Sequence, residues 1–402
     1  MSLKSLILFL YLLCASSFGQ WSQEARDVHS QYDHPFRDEV MTTVWGNIVP
    51  VQYVSKSKFK IKTKELRVNA DIRLEKTLRY NYHYAKSWKQ EKRPLLVFIP
   101  GIFAPITSYQ ASDMTRRFIN LGYRVITFSN PLGKEYLEAD PQHELLDLKA
   151  QSKIYSVAIR KVMRSLEEQN LYNGHAVLGG VSYGSLVAAM IYNDDQKRST
   201  PVLNELLVMG PPMNLIKSAQ RLDMYVEQAK DMTFFDGASA IASYFHLRYM
   251  KERSDVTYET LMMAREALTQ ESFIKGLARS IKIYDEVNTL KIVPKKSKKE
   301  KAWKKSLRFI STFENLSPKA YQQMLTTQVA ILAPYILEAK KNIAGKPNKK
   351  ILILSAQDDV INNRIDPRLL LLPEMMALPY GGHYGFQCLK WFDRLITAQF
   401  KL

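Results

Sequence analysis

The stretch "GVSYG" at residues 180–184 constrains the fold of this chain more than any other feature. It follows a run of apolar residues and precedes an Ala-rich helical pattern, so it marks a junction between a buried strand and a helix. Gly180 and Gly184 bracket Ser182 and leave room for the strand and helix backbones to approach each other closely. The pattern predicts a sharp strand-to-helix turn, a nucleophile elbow, that exposes the serine hydroxyl.

Apolar runs of strand length recur around this turn and alternate with helical patterns. They read "PLLVFIP", "YRVITFS", "HAVLGGVS", "LNELLVMGPP" and "KKILILSAQDD". Continuous apolar runs are typical of strands buried on both faces, and alternation with helices is typical of parallel sheets. The sequence therefore predicts an α/β fold with a mostly parallel sheet flanked by helices.

The chain divides into five parts by pattern. Residues 1–19 read as a signal peptide, and residues 20–93 as an N-terminal extension with antiparallel strands that begin the sheet. Residues 94–213 form the first part of the predicted core, with the nucleophile elbow. Residues 214–348 are predicted to be a helical, Lys-rich cap inserted late in the sheet. Residues 349–402 complete the core. With 402 residues, 46% of them hydrophobic, the chain is long enough to bury a large core.

The first residues resemble an export signal. Lys4 precedes an apolar block at Leu6–Leu13. The small residues before Gln20, which end at Gly19, form a pattern that signal peptidase recognises. An uncleaved anchor and a lipid attachment at Cys14 are the alternatives. Cleavage near Gly19 predicts an exported protein, periplasmic or secreted. It leaves only Cys388, so no internal disulfide is expected.

Positive charge is concentrated in one part of the chain. The formal net charge is +18, and residues 291–308 carry nine Lys or Arg against one acid. No nucleic-acid-binding motif accompanies this stretch, so nucleic acid is not expected as a partner. An anionic membrane surface is the partner that suits an exported protein. A solvated loop in a generally basic protein is the simpler interpretation.

A serine becomes a nucleophile only with a base to take its proton and donors for the developing oxyanion. The backbone N–H of Tyr183, which starts the helix after Ser182, is one predicted donor. The second is expected from the loop after an earlier buried strand, "VFIPGIFAP". Ile102 N–H is the predicted donor there, with Phe103 as the neighbouring alternative. The alternative is that Pro100 and Gly101 form a simple turn with no catalytic role.

The base and the orienting acid are expected to follow the serine in the order Ser, Asp, His. His383 lies in the glycine-rich loop "LPYGGHYGF", whereas His175 lies too far down the strand before the serine and His246 lies in the predicted cap. Asp359, at the end of the strand "ILIL", is the predicted acid. Asp358 is the alternative, although an Asp after a strand is often only a turn residue. This chemistry requires no metal and no organic cofactor.

These stretches resemble a known family. The motifs "VFIPGI", "GVSYGS", "LSAQDDVI" and "GGHYGF" are similar to those of the α/β-hydrolase fold, and within it to the YheT/EMB8-like serine esterases. The resemblance spans roughly residues 36–400. It implies Ser182 as nucleophile, Asp359 as acid and His383 as base. Pro100 stands where the family has a histidine before the glycine of the oxyanion loop.

The sequence thus predicts a serine hydrolase that cleaves carboxylic esters through an acyl-serine intermediate. The substrate is expected to be a small-molecule or lipid ester, since the cap segment "DMTFFDGASAIASYFHLRYM" is rich in residues that can line a pocket for an acyl chain. Aromatic and Met residues at helical spacing are more often explained by plain helix packing. Acyl transfer to an alcohol is one alternative function, and a non-catalytic surface-binding protein on the same fold is another.

Overall fold

A computed structural model describes the greater part of the chain. The described residues are 21–37, 39, 42–43, 57–69, 77–102, 104–139, 147–218, 221, 330–346, 348–362 and 364–401. Several sequence predictions fall outside these ranges: the signal peptide, most of the cap, the basic stretch 291–308, Phe103 and His246. The predicted core and all three residues of the predicted catalytic set lie within them.

The described residues form one eight-stranded sheet in the order β1-β2-β4-β3-β5-β6-β7-β8. The strands are β1 Ile61–Val68, β2 Leu78–Ala85, β3 Arg93–Ile99, β4 Arg124–Phe128, β5 Tyr172–Val181, β6 Glu205–Met209, β7 Lys350–Ala356 and β8 Met375–Leu378. β2 pairs antiparallel with both β1 and β4, and all other pairs are parallel. The alternating N-terminal pattern therefore forms the antiparallel edge, and the continuous apolar runs form the parallel centre.

Helices cover both faces of this sheet. They are α1 Gln23–Ser30, α2 Tyr109–Asn120, α3 Lys134–Ala139, α4 Leu148–Glu168, α5 Tyr183–Gln196, α6 Leu332–Ile343, α7 Pro367–Leu370 and α8 Lys390–Phe400, with 3₁₀ turns at Lys86–Trp88 and Gly385–Cys388. A mostly parallel sheet, flanking helices and a serine turn after a central strand define the α/β-hydrolase fold. The predicted fold class is confirmed. None of the helices in the described ranges is long and apolar enough to cross a bilayer.

The core lies in two layers, one on each side of the sheet. In β3, Leu95, Val97 and Ile99 face one layer, while Leu96 and Phe98 face the other. All five side chains are buried, because parallel strands are covered on both faces. The first layer contains residues of α4, α5 and α6, and the second contains residues of α1, α2 and α8. This packing holds the carboxyl ends of β3, β5, β6 and β7 at one edge.

Helix α6 packs in the core, although the sequence pattern assigns its residues to the cap. It lies within the range 214–348 predicted as cap, yet it packs against α5 and β7. Its buried face, which includes Leu332 and Ile336, belongs to the first core layer. The sequence of a helix with one apolar face indicates that this face is buried, but it does not indicate which part of the structure covers the face. The core therefore resumes before residue 349.

The two ends of the predicted insertion lie side by side. Asn214 and Ile331 form an isolated antiparallel bridge. Leu215 N donates to Ala330 O at 2.9 Å, and Leu332 N donates to Met213 O at 3.1 Å. Residues 213–215 and 330–332 therefore meet just beyond the carboxyl end of β6.

The N-terminal extension is joined to the C-terminal helix. Helix α1 packs against α8, and the indole of Trp391 donates to Val28 O at 2.8 Å. The indole of Trp21 donates to Glu374 O at 2.8 Å, next to β8. This docking places the residues after α1 close to the loop that follows β8.

Candidate active site

Ser182 occupies the tight turn between β5 and α5. Its backbone has φ 54° and ψ −128°, a conformation that non-glycine residues rarely adopt and that is found at functional sites. Ser182 N donates to Met209 O on β6 at 2.9 Å. A Cβ on Gly180 would lie 2.4 Å from Gly184 O, and a Cβ on Gly184 would lie 2.3 Å from Ile99 O. Both glycines are therefore required sterically.

Ser182, His383 and Asp359 form one hydrogen-bonded line. His383 Nε2 lies 2.9 Å from Ser182 Oγ, and His383 Nδ1 lies 3.1 Å from each carboxylate oxygen of Asp359. A carboxylate only accepts hydrogen bonds, so Nδ1 carries the proton and Nε2 is free to accept from the serine hydroxyl. The structure thus brings together three residues that the sequence predicted as a set.

Asp359 is fully buried beneath the imidazole. Its side chain is 0% exposed, whereas that of His383 is 19% exposed. Besides the two contacts with the histidine ring, Asp359 Oδ1 accepts a hydrogen bond from Ile361 N at 3.0 Å. An ionised carboxylate held in this way fixes the orientation of the ring and stabilises a positive charge on it.

Asp358, the alternative acid, points elsewhere. Its Oδ1 accepts from Gly382 N at 2.8 Å, and its Oδ2 accepts from the Thr42 hydroxyl at 3.0 Å. Burial raises the pKa of the Asp358 carboxyl above its ordinary value, against the opposing effect of these hydrogen bonds. Asp358 therefore contacts the backbone of the loop that carries His383, not the imidazole.

The loop after β3 lies beside the serine, as predicted for an oxyanion loop. A Cβ on Gly101 would lie 3.4 Å from Ser182 Cβ, and Gly101 N donates to Gln110 Oε1 at 2.7 Å. Ile102 follows as a half-buried residue, and Tyr183 starts α5 with its side chain buried. Tyr183 therefore directly follows the nucleophile, and Ile102 directly follows a residue that lies beside it. The role of their N–H groups toward an oxyanion stays a prediction.

Two buried asparagines, which the sequence analysis missed, fix the loops at this edge. The Asn130 side chain donates to Pro100 O at 3.0 Å. Asn362 donates to Pro211 O and accepts from Met213 N, both at 2.8 Å. They tie the loop after β3 to the loop after β4, and the loop after β6 to the loop after β7. A rim held in this way is preorganised, which is what electrostatic stabilisation of a transition state requires.

Ser185 locks the nucleophile turn from below. Its buried hydroxyl accepts from Met209 N at 3.0 Å and lies 2.6 Å from Gly180 O and 2.9 Å from Met209 O. The sequence indicated only that a small residue is needed here. The hydroxyl connects the turn to β6, because it lies within hydrogen-bond distance of Gly180 O on one side and of both backbone polar groups of Met209 on the other.

Replacing Ser185 by alanine is therefore expected to lower the free energy of unfolding by about 1–3 kcal/mol, since the buried N–H of Met209 loses the Ser185 hydroxyl as an acceptor. Urea unfolding followed by circular dichroism measures this change. Ser165→Ala, on an exposed part of α4, is the matched control and is expected to stay within about 0.5 kcal/mol of the parent protein. Equal stability of the two variants would contradict the assigned role of the Ser185 hydroxyl.

The described ranges contain no group of three or more His, Cys, Asp or Glu side chains able to hold a metal ion. The two carboxylates at the catalytic edge are both engaged, Asp359 with His383 and Asp358 with Gly382. The sequence predicts a reaction that needs no metal and no organic cofactor, and this stays a prediction.

Comparison with known proteins gives distant structural likenesses. No family model and no curated protein matches the chain. It is similar to an esterase from Pyrobaculum calidifontis, at 13% identity over 94% of this chain and 96% of the esterase, with a TM-score of 0.45. It is also similar to carboxyl esterase 2 from the mycorrhizal fungus Tuber melanosporum, at 14% identity over 95% of this chain and 98% of that enzyme, with a TM-score of 0.45. The similarity to a thermostable esterase from Pseudomonas putida is 13% identity over 95% of this chain and 97% of that enzyme, with a TM-score of 0.45. At this level of similarity these proteins assign no activity to the chain.

Proposed function

We propose that this protein is a serine hydrolase that cleaves carboxylic esters through an acyl-serine intermediate. One observation carries the proposal: the continuous hydrogen-bonded line from Asp359 through His383 to Ser182 at the carboxyl edge of the sheet. The strained backbone of Ser182 supports it, because strain of this kind is retained where function requires it.

In the proposed first step, Ser182 Oγ attacks the ester carbonyl carbon while His383 Nε2 takes the hydroxyl proton. Asp359 stabilises the imidazolium that forms. The N–H groups of Ile102 and Tyr183 are the proposed donors to the oxyanion. When the tetrahedral intermediate collapses, the C–O bond to the alcohol breaks, and His383 returns its proton to the departing alkoxide.

In the second step, water attacks the acyl carbon of the ester on Ser182 while His383 Nε2 takes a proton from it. The bond between the acyl carbon and Ser182 Oγ then breaks, and the proton passes to the serine oxygen. The carboxylic acid leaves and the starting state returns. An alcohol in place of water would give acyl transfer with the same three residues.

Hydrolysis of p-nitrophenyl esters of increasing acyl length tests this proposal. The purified protein is expected to release p-nitrophenol with saturable kinetics, and the chain length with the highest kcat/KM defines the acyl preference. Product analysis with an added alcohol separates hydrolysis from acyl transfer. Absence of turnover on every ester, together with no reaction with a fluorophosphonate, would contradict the proposal.

Asp359→Asn is expected to lower kcat on the order of 10⁴-fold, with KM little changed, because the amide favours the wrong tautomer of His383. Steady-state kinetics on the preferred p-nitrophenyl ester measures the change. Asp27→Asn, on the exposed face of α1, is the control for the same chemical substitution and is expected to leave kcat unchanged. A loss of less than about 10-fold in Asp359→Asn would contradict the assignment of the acid.

We also propose that the protein is exported, with residues 1–19 removed as a signal peptide. The apolar block and the small residues before Gln20 support this proposal. Intact-mass measurement of the protein from cell fractions tests it. A mature chain that starts near Gln20 in the exported fraction is expected, and a full-length chain in the cytoplasmic fraction would contradict it.

A further inference from the structure

The loop that carries His383 adopts an unusual backbone conformation. The glycines before the histidine, Gly381 and Gly382, have φ angles of 142° and 55°, and Tyr384 after it has a φ of 61°. Tyrosine is disfavoured in this left-handed region, so the loop needs external contacts to keep this shape. Helix α8 and its preceding 3₁₀ turn begin just beyond the loop and fix only one of its ends.

Thr43 supplies the contact at the histidine itself. His383 N donates to Thr43 Oγ1 at 2.8 Å, across 340 positions of sequence. The hydroxyl in turn donates to Glu39 O at 2.8 Å. A threonine hydroxyl has one hydrogen and two lone pairs, so donating to Glu39 leaves an acceptor correctly placed for the histidine N–H.

The neighbouring backbone group is held from the same side. Gly382 N donates to Asp358 Oδ1 at 2.8 Å, and the other oxygen of Asp358 accepts from the buried Thr42 hydroxyl at 3.0 Å. The consecutive backbone N–H groups of Gly382 and His383 thus both donate to one hydrogen-bond network. Thr42 and Thr43 connect that network to the N-terminal extension.

Close packing explains why glycines flank the histidine. A Cβ on Gly382 would lie 2.3 Å from Thr43 Oγ1, and a Cβ on Gly385 would lie 2.0 Å from Thr42 O. The N-terminal extension occupies the volume that side chains at these positions would need. The glycines of "GGHYG" therefore serve contact with residues 42–43 as well as the bend of the loop.

We propose that Thr43 is a positioning residue for the catalytic base, with Thr42 and Asp358 completing its support. The proposal rests on the proposed function, since it assigns His383 as that base. Thr43 holds the backbone of His383 so that Nε2 stays 2.9 Å from Ser182 Oγ. A displacement of 1 Å at a reacting group costs about 100-fold in rate, so loss of this contact lowers kcat. The contact of Thr43 is with the backbone N–H of His383, so KM is not expected to change.

Thr43→Val and Thr43→Ser test the proposal as a pair. Valine keeps the shape of threonine and removes the acceptor, so kcat is expected to fall about 10- to 100-fold, with KM within about twofold of the parent value. Serine keeps the hydroxyl and is expected to restore most of the lost kcat. Thr397→Val, on the exposed face of α8, is the matched control and is expected to have the parent kcat. Where Thr43→Val does not fold, Thr43→Ala replaces it with the same expectation.

A second measurement does not depend on turnover. The Nδ1–H proton between His383 and Asp359 is expected to give a downfield ¹H NMR signal that is absent from His383→Ala. In Thr43→Val this signal is expected to broaden or shift, while Thr43→Ser keeps it. If the parent protein neither hydrolyses esters nor reacts with fluorophosphonate, the proposed function fails, and this signal still tests the positioning. Unchanged kcat and an unchanged signal in Thr43→Val would overturn the positioning role.

Discussion

Ser182→Ala is expected to reduce kcat/KM for the preferred p-nitrophenyl ester on the order of 10⁶-fold. Alanine removes the only atom that forms the acyl bond, and the strained turn and the loop after β3 can then do no more than bind the ester. Steady-state kinetics at high enzyme concentration measures the residual rate. Ser165→Ala on the surface of α4 is the matched control and is expected to keep the parent rate.

His383→Ala is expected to cost about as much, because the hydroxyl of Ser182 is a weak nucleophile without its base. Residues that act as one unit give losses that do not add. The double variant of Ser182 and His383 is therefore expected to be no slower than either single variant. A double variant slower by the product of the two single effects would show that the residues act independently, against the geometry of the 2.9 Å contact.

Gly184→Ala is expected to lower the free energy of unfolding by about 3 kcal/mol or more and to abolish activity. The added methyl group would lie 2.3 Å from the backbone oxygens of both Ile99 and Pro100. Backbone at the end of a central strand cannot move aside as a flexible side chain can. Separating β3 from α5 would also displace Ser182 from the loop that holds Gly101. Urea unfolding and ester hydrolysis measure the two effects.

Gly174→Ala separates steric overlap from the general cost of replacing glycine. Gly174 has a φ of 93° and no atom within 4 Å of the added Cβ. Its substitution is expected to cost about 1–2 kcal/mol from backbone strain alone, with full activity per folded molecule. If Gly184→Ala were no more destabilising than Gly174→Ala, the close approach of β3 and α5 would not be the reason for glycine in the turn.

Much of the fold and of the candidate site can be predicted from the sequence, for a physical reason. Parallel strands with their connecting helices bring all their carboxyl ends to one edge of the sheet. Ser182 follows β5 directly, Asp359 follows β7 within three residues and His383 follows β8 within five. Polar residues at these positions therefore lie at the same edge of the sheet, whatever the length of chain between them. The order of the three in sequence is enough to propose their contact.

The support of the site could not be predicted in the same way. Thr42 and Thr43 lie more than 300 positions from His383 in sequence, and no pattern around them indicates which part of the chain they contact. Helix α6 is assigned to the cap by sequence for a similar reason, because an amphipathic pattern does not indicate which surface covers the apolar face of the helix. One signal for the network was present in "GGHYG", because glycines closely spaced around a functional residue often mark a close approach of other backbone.

Mapping the site of fluorophosphonate attachment tests the central claim most directly. The parent protein is incubated with the probe, digested and analysed by mass spectrometry. One phosphonyl group on Ser182 is expected, with attachment lost in Ser182→Ala and strongly slowed in His383→Ala. Attachment to a different residue, or undiminished labelling of Ser182→Ala, would contradict the assignment of Ser182, His383 and Asp359 as the reacting unit.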